Sequence, residues 1–187
     1  MQLKPADIII TTDKKSWFSR AILSVLRFFQ DDPVEYQHTM LVVDDATCIE
    51  ANWEVELNIT RERFGDFSRY KIIRHKGLTD DQRDKIVDRA RTLLGLRYSV
   101  LRITLQLFDH LFNSNYFTKR VKDPDQQICS SLVAWCYVVE TGIKFNGVNW
   151  AAVEPDDIDD ESLSPNTEFD TIFERIIYSI FSCWYTS

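Results

Sequence analysis

A helix that is apolar on every side must be enclosed by other elements. The stretch Gln127-Ile128-Cys129-Ser130-Ser131-Leu132-Val133-Ala134-Trp135-Cys136 begins one. A polar loop broken by Pro124 runs into Cys129, and the apolar run continues to Val139 before stopping at Thr141-Gly142. The pattern predicts a buried helix with Cys129 in its first turn. Unsatisfied N–H groups and the positive end of the helix dipole favour a thiolate there. The other segments are therefore read for what they pack around this helix and what they bring to its sulfur.

Asp7 to Thr11 is β-rich and predicts a buried strand, and Ser16 to Phe29 has helical period with Phe18, Ile22, Val25, Leu26 and Phe29 on one face. His38 to Val43 and Thr47 to Ala51 predict a hairpin turned at Asp44-Asp45. Glu54 to Ile59 alternates strictly, as a half-exposed strand does, and Arg69 to Arg74 is a further candidate strand. After Gly77 the period changes. Thr79-Asp80-Asp81-Gln82 predicts a capping box, with Ile86, Val87, Ala90, Leu93 and Leu94 forming an apolar stripe and Gly95 as its C-cap. Tyr98 to Phe112 predicts a second amphipathic helix, Pro155 to Ile158 a short helical turn, and Phe169 to Phe173 a last strand. Ile176 to Trp184 fits a strand or a helix equally. Strands first and helices afterwards predict an α+β chain with an antiparallel sheet packed against helices.

At 187 residues the chain is read as a single domain, residues 1–187, large enough for its own core. A net charge of −7 without any basic run excludes nucleic acid as the expected partner. No secretory signal and no stretch of ~20 apolar residues is present, which predicts a cytoplasmic protein. Cys48, Cys129, Cys136 and Cys183 are scattered and form no C-x-x-C pair, so free thiols are expected, with no metal and no cofactor. The acidic run Asp156 to Glu161 lacks the glycine and alternation of a calcium loop and reads as a solvated turn.

Three residues form a candidate constellation. A thiol at a helix start needs a base, and imidazole is the usual one. The imidazole in turn needs an acceptor on its other nitrogen to fix its tautomer and orientation. His38 opens one strand of the predicted hairpin and Glu50 closes the other, so both lie near its open end, where a His–Glu pair can meet the start of the cysteine helix. Cys136 lies two turns along from Cys129 and, like Cys48 and Cys183, reads as packing. His75 and His110 sit in surface-like contexts.

In this order the segments resemble the circularly permuted NlpC-type papain-like cysteine hydrolases, in particular the YiiX-like branch. Ala6-Asp7-Ile8-Ile9 resembles that family's opening Gly-Asp-Ile-Ile strand. Tyr36 to Val42 resembles the block holding its catalytic histidine, and Ile49-Glu50-Ala51 its Glu-Ala block. Gly95-Leu96-Arg97-Tyr98 resembles its Gly-Lys-Pro-Tyr-Asp block. Cys129-Ser130-Ser131-Leu132-Val133 resembles its Cys-Ser-Glu-Leu-Val nucleophile block, and Pro155-Asp156-Asp157-Ile158 its late Pro-Asp-Asp-Leu block. The likeness spans Asp7 to Ile158. Ala6 stands where the family has Gly, Thr39-Met40 replaces Val-Gly, Ser131 replaces Glu, and Arg97-Tyr98-Ser99 replaces Pro-Tyr-Asp.

The resemblance implies a permuted papain-like fold with catalytic Cys129, His38 and Glu50. It implies a peptidase- or amidase-like thiol hydrolase acting on peptide, amide or acyl-ester substrates, with Tyr98 and Tyr36 as substrate-contact positions. Two alternatives stay open. One is an acyltransferase of the lecithin-retinol-acyltransferase-like type, for which Leu105, Phe108, Leu111 and Phe112 would form a lipid-facing surface. Membrane contact is thus allowed but not favoured. The other is a non-catalytic module binding peptides or amino sugars.

Overall fold

Strands whose side chains alternate between two apolar faces can be buried on both, and the central strands of this chain are built that way. The computed structural model describes residues 2–13, 36, 38–97, 129–165 and 167–176. Among these, strands β1 (Ile8–Asp13), β2 (His38–Val42), β3 (Thr47–Ala51), β4 (Val55–Ile59), β5 (Phe67–His75) and β6 (Phe169–Ile176) form one sheet in the order β4-β3-β2-β1-β5-β6. All pairings are antiparallel. Helices α1 (Thr60–Arg63), α2 (Asp80–Arg91), α3 (Cys129–Thr141) and α4 (Pro155–Leu163) complete the α+β arrangement.

One face of the sheet carries Ile8, Ile10, Leu41, Ile49, Ala51 and Ile73 into the larger core, against Ile86, Val87 and Ala90 of α2 and Leu132, Val133, Ala134 and Tyr137 of α3. The alternate residues Ile9, Met40, Val42, Cys48, Tyr70 and Ile72 form a second cluster on the opposite face, with Phe64 and Ile172 against it. Helix α3 packs on α2 and on the hairpin strands β2 and β3, so the apolar cysteine helix is enclosed as its sequence requires. It ends where Gly142 takes φ +76°, a conformation that glycine adopts without penalty.

The chain enters the sheet through a tight corner at Ala6 and Asp7. Ala6 has φ +62°, in the left-handed region where a side chain is disfavoured. The conformation is held from two sides. Its N–H donates to Val42 O (2.9 Å), and its carbonyl accepts from the hydroxyl of Tyr137 on α3. The fully buried Asp7 carboxylate is gripped by Arg74, whose Nε and Nη2 reach Oδ1 at 2.7 Å and Oδ2 at 2.6 Å. Arg83 stands 3.7 Å away. This corner ties together the strand that carries His38 and the helix that carries Cys129.

Several details differ from the sequence reading. α2 has the expected Thr79/Gln82 capping box, but its C-cap is Thr92, and Gly95 (φ +82°) belongs to the following turn. There the Gly95 N–H meets Val55 O at 2.8 Å and Leu96 O accepts from the Val55 N–H at 2.8 Å, so this turn pairs with the sheet edge as well as ending the stripe. The expected turn at Pro155 is a nine-residue helix, because Pro155 at its first turn and the Glu154/Asp157 box start it well and Ile158 anchors it in the core. The short helix α1 had no counterpart in the reading. The helices expected over Ser16 to Phe29 and Tyr98 to Phe112, and the stretch beyond Ile176, lie outside the described residues. Among the described residues, no helix is long and apolar enough to cross a membrane.

Candidate active site

The hairpin of β2 and β3 is in register from Met40↔Glu50 to Val42↔Cys48. Strand period places Glu50 opposite the core-facing Ile49 and Ala51, on the face of Met40 and Cys48. The Glu50 side chain is fully buried, and a buried carboxylate survives only if its oxygens are satisfied. Four donor contacts do so. His38 Nε2 meets Oε2 at 2.7 Å, Asn58 Nδ2 donates to Oε1 at 2.8 Å, and Arg63 donates through Nε to Oε1 at 2.6 Å and through Nη2 to Oε2 at 3.0 Å. With Nε2 of His38 engaged by Glu50, Nδ1 is the ring nitrogen left for Cys129, to which His38 is also hydrogen-bonded.

The register of the hairpin stops one position short of Thr39, which therefore has no partner on β3. The Thr39 backbone N–H is turned to the Cys129 sulfur instead, and the Ser130 N–H, in the first turn of α3, joins it. Cys129 is thus met by an imidazole and two backbone donors, at a helix N-terminus that itself favours negative charge. The site is recessed but not sealed, with Cys129 6% exposed and the His38 side chain 14%.

These contacts set the protonation of the cluster. Burial opposes the Cys129 thiolate, but the His38 charge and hydrogen bond, followed by the Thr39 and Ser130 N–H groups, outweigh it and lower the thiol below its ordinary range. Burial likewise opposes the His38 imidazolium, and the charge and hydrogen bond of Cys129, then those of Glu50, push it up to about 10. Burial opposes the Glu50 anion too, yet His38 and then Arg63 hold it down at about 2. These contacts therefore favour thiolate, imidazolium and carboxylate, where burial alone would favour the neutral groups. The other described thiols lie on the opposite side of this divide: burial pushes Cys48 up to about 11 and carries Cys136 well above the usual thiol range.

The remaining candidates fall as follows. Ser130 spends its hydroxyl on Val153 O at 2.6 Å and is not a rival nucleophile. Tyr36 is fully buried, its N–H donating to Asp156 Oδ1 at 3.0 Å and its hydroxyl to Glu174 Oε1 at 3.2 Å, with Arg69 and Lys71 over its ring at 5.0 and 5.5 Å. Its contacts anchor the approach to β2. Tyr98 lies outside the described residues.

The fold is similar to that of YiiX. The structure of this metalloprotein from Escherichia coli O157:H7, assigned to DUF1105, superposes with a TM-score of 0.65 at 17% sequence identity, covering 94% of this chain and 99% of the other. No family model matches the chain, and no curated protein matches it in sequence. At that identity the likeness to YiiX is one of fold. Among the described residues, no three His, Cys, Asp or Glu side chains come together as a metal-ligand set.

Asn58, Arg63 and the Thr39 N–H were absent from the sequence reading. Asn58 carried a usable signal, being on the strand paired with β3, where it is the Cα partner of Cys48. Arg63 carried only a general one: a glutamate between two core residues needs a cation, but nothing local says which.

Proposed function

We propose that the chain is a cysteine hydrolase of the circularly permuted papain-like type, cleaving an amide or ester through a thioester on Cys129. The observation that carries this reading is the hydrogen-bonded order Cys129–His38–Glu50, whose contacts lower one thiol while burial raises the other two described. A thiolate–imidazolium pair gives no packing benefit that an apolar pair would not exceed. It does supply a nucleophile and, beside it, the acid needed to expel a leaving group.

The Cys129 thiolate attacks an acyl carbonyl. The C–S bond forms and the π electrons move to oxygen, for which the Cys129 N–H is the proposed donor, as a helix-start N–H can be. Collapse breaks the bond to the leaving amine or alkoxide, which takes the proton from His38, and a thioester remains. Neutral His38 then accepts a proton from water as its oxygen attacks the thioester. Collapse of the second adduct releases the acid and restores thiolate and imidazolium. Glu50 holds the ring in the tautomer that points Nδ1 at sulfur throughout.

The test is incubation with activated acyl esters followed by intact-mass measurement. Wild type should carry one acyl group, on Cys129, and Cys129→Ala none. Decay of the adduct to free acid marks a hydrolase, and passage of the acyl group to an added alcohol or amine marks the transferase. Absence of any adduct, together with iodoacetamide labelling of Cys129 no faster than of Cys48, would end the catalytic reading.

A further inference from the structure

The Arg63 fork supplies Glu50 with a second cation beside His38. At rest the single charge of His38 faces both Cys129 and Glu50, and Glu50 lies at 2.7 Å from it. The need for that cation is plainest midway through the cycle proposed above, on which this inference rests. Once the leaving group has departed with the proton of His38, Cys129 is an uncharged thioester and His38 an uncharged imidazole. Glu50, with a fully buried side chain, would then be an isolated anion. Such a group lowers its energy by taking up a proton, which turns it from acceptor to donor and releases the ring.

Among the described residues, the groups facing Glu50 leave one candidate to prevent this. From β2 comes His38, and from its own strand Cys48, a thiol that burial keeps protonated. From β4 come the neutral amide of Asn58 and Glu56, the Cα partner of Glu50, which accepts from Asn52 at 2.7 Å and adds negative charge. From α1 comes Arg63. A guanidinium keeps its charge at every working pH, and its planar fork fixes both oxygens of a carboxylate, which a lysine does not.

We propose that Arg63 is a positioning residue whose fork holds Glu50 as an oriented anion through both half-reactions, whether or not His38 carries its proton. Arg63 is 25% exposed and contacts both oxygens of Glu50, one of which also meets His38.

Two readouts test this on the full chain. The first is an NMR titration of the His38 ring, identified by its absence in His38→Ala. The second is the decay rate of the acyl adduct. In Arg63→Gln the His38 midpoint should rise by about one pH unit, a tenfold change, because a neighbouring cation is lost. The adduct should decay at least tenfold more slowly. Arg63→Lys keeps the charge without the fork, so it should return the titration towards wild type while recovering only part of the rate. In a Glu50→Gln background, which also removes the unpaired charge that would endanger folding, adding Arg63→Gln should change decay by less than twofold. A His38 titration in Arg63→Gln that overlays wild type would overturn the proposal, as would an equal slowing with and without Glu50. If wild type forms no adduct at all, the thioester cycle is what fails, and the His38 titration still decides whether Arg63 governs Glu50.

Discussion

Asp7 and Glu50 are both fully buried carboxylates, and each is gripped by an arginine fork with contacts of 2.6–3.0 Å. Around Asp7 every further partner is permanent: Arg74, Arg83 at 3.7 Å and the Lys4 N–H at 2.9 Å. Around Glu50 one partner titrates, and that partner leads to a sulfur. The requirement that a buried carboxylate be satisfied is the same in both places. A permanent cluster fixes geometry, and only a cluster containing a group that can lose its proton does chemistry. The two are also connected, since the Ala6–Asp7 corner holds β2 through Val42 and α3 through Tyr137. The first cluster thus positions the elements on which the second depends.

The sharpest way to break this contrast is to remove the titrating partner. His38→Ala deprives Cys129 of the cation that favours its thiolate and of its proposed base, and the iodoacetamide rate at neutral pH should fall by ~10²–10⁴-fold. The fold should persist, because Asp7 and its arginines are untouched. An unchanged rate would mean that the helix terminus and the two backbone N–H groups suffice without the imidazole. Asp7→Ala should do the reverse. It strands Arg83, 5% exposed, beside a lost anion, and should cost about 3–5 kcal/mol of stability in denaturant unfolding. At temperatures where the variant is folded, any loss in Cys129 labelling should follow loosened packing and not an altered pH profile. A stability loss under about 1 kcal/mol would show that Asp7 is not the anchor of that corner.

The Glu50 cluster also carries an acid response. Glu50 is depressed from 4.5 to about 2 by His38 and Arg63. A depressed carboxylate contributes stability that is fully present above its unfolded value of 4.5 and lost as pH falls towards and through about 2. At about 1.4 kcal/mol per pH unit that is about 3 kcal/mol. Urea midpoints recorded from pH 5 down to pH 2 should fall steeply in wild type and more shallowly in Glu50→Gln. Parallel curves would place the acid sensitivity elsewhere.

The contrast was only half legible in the chain. The His38–Glu50 hairpin could be read because its period-two runs and the Asp44-Asp45 turn bring residues 38 and 50 together at its open end. The cysteine helix could be read because a run apolar on all sides has one fate. The Asp7 cluster could not, since Arg74 and Arg83 lie far along the chain and nothing local distinguishes them from solvated charges. The same holds for Lys71 and Asp159, a buried ion pair 88 positions apart, whose acidic partner sits in a run that reads as a solvated turn. Arg63 follows β4 on a four-residue helix too short to leave a periodic trace. Local period specifies strands, turns and helix faces, whereas charge partners depend on which elements become neighbours.

The smallest expected effect concerns the corner itself. Ala6 stands at φ +62°, where the resemblance expects glycine. Ala6→Gly relieves left-handed strain of roughly 1–2 kcal/mol. It also frees the unfolded chain, at about 0.4–1 kcal/mol, and removes a fully buried methyl worth about 0.8 kcal/mol. These terms nearly cancel, so stability should move by less than about 1 kcal/mol in either direction, with Cys129 labelling unchanged. Ala6→Val adds branching at the same φ without removing the strain, and should cost more than Ala6→Gly by about 2 kcal/mol or more. Thermal unfolding of the pair separates two explanations of the corner. If glycine costs over 2 kcal/mol, the methyl group and its packing hold Ala6 in place. If glycine is neutral and valine is not, the corner is held by its backbone, through Val42 and Tyr137, and the alanine is a residue the turn tolerates because β2 and α3 are both fastened to it.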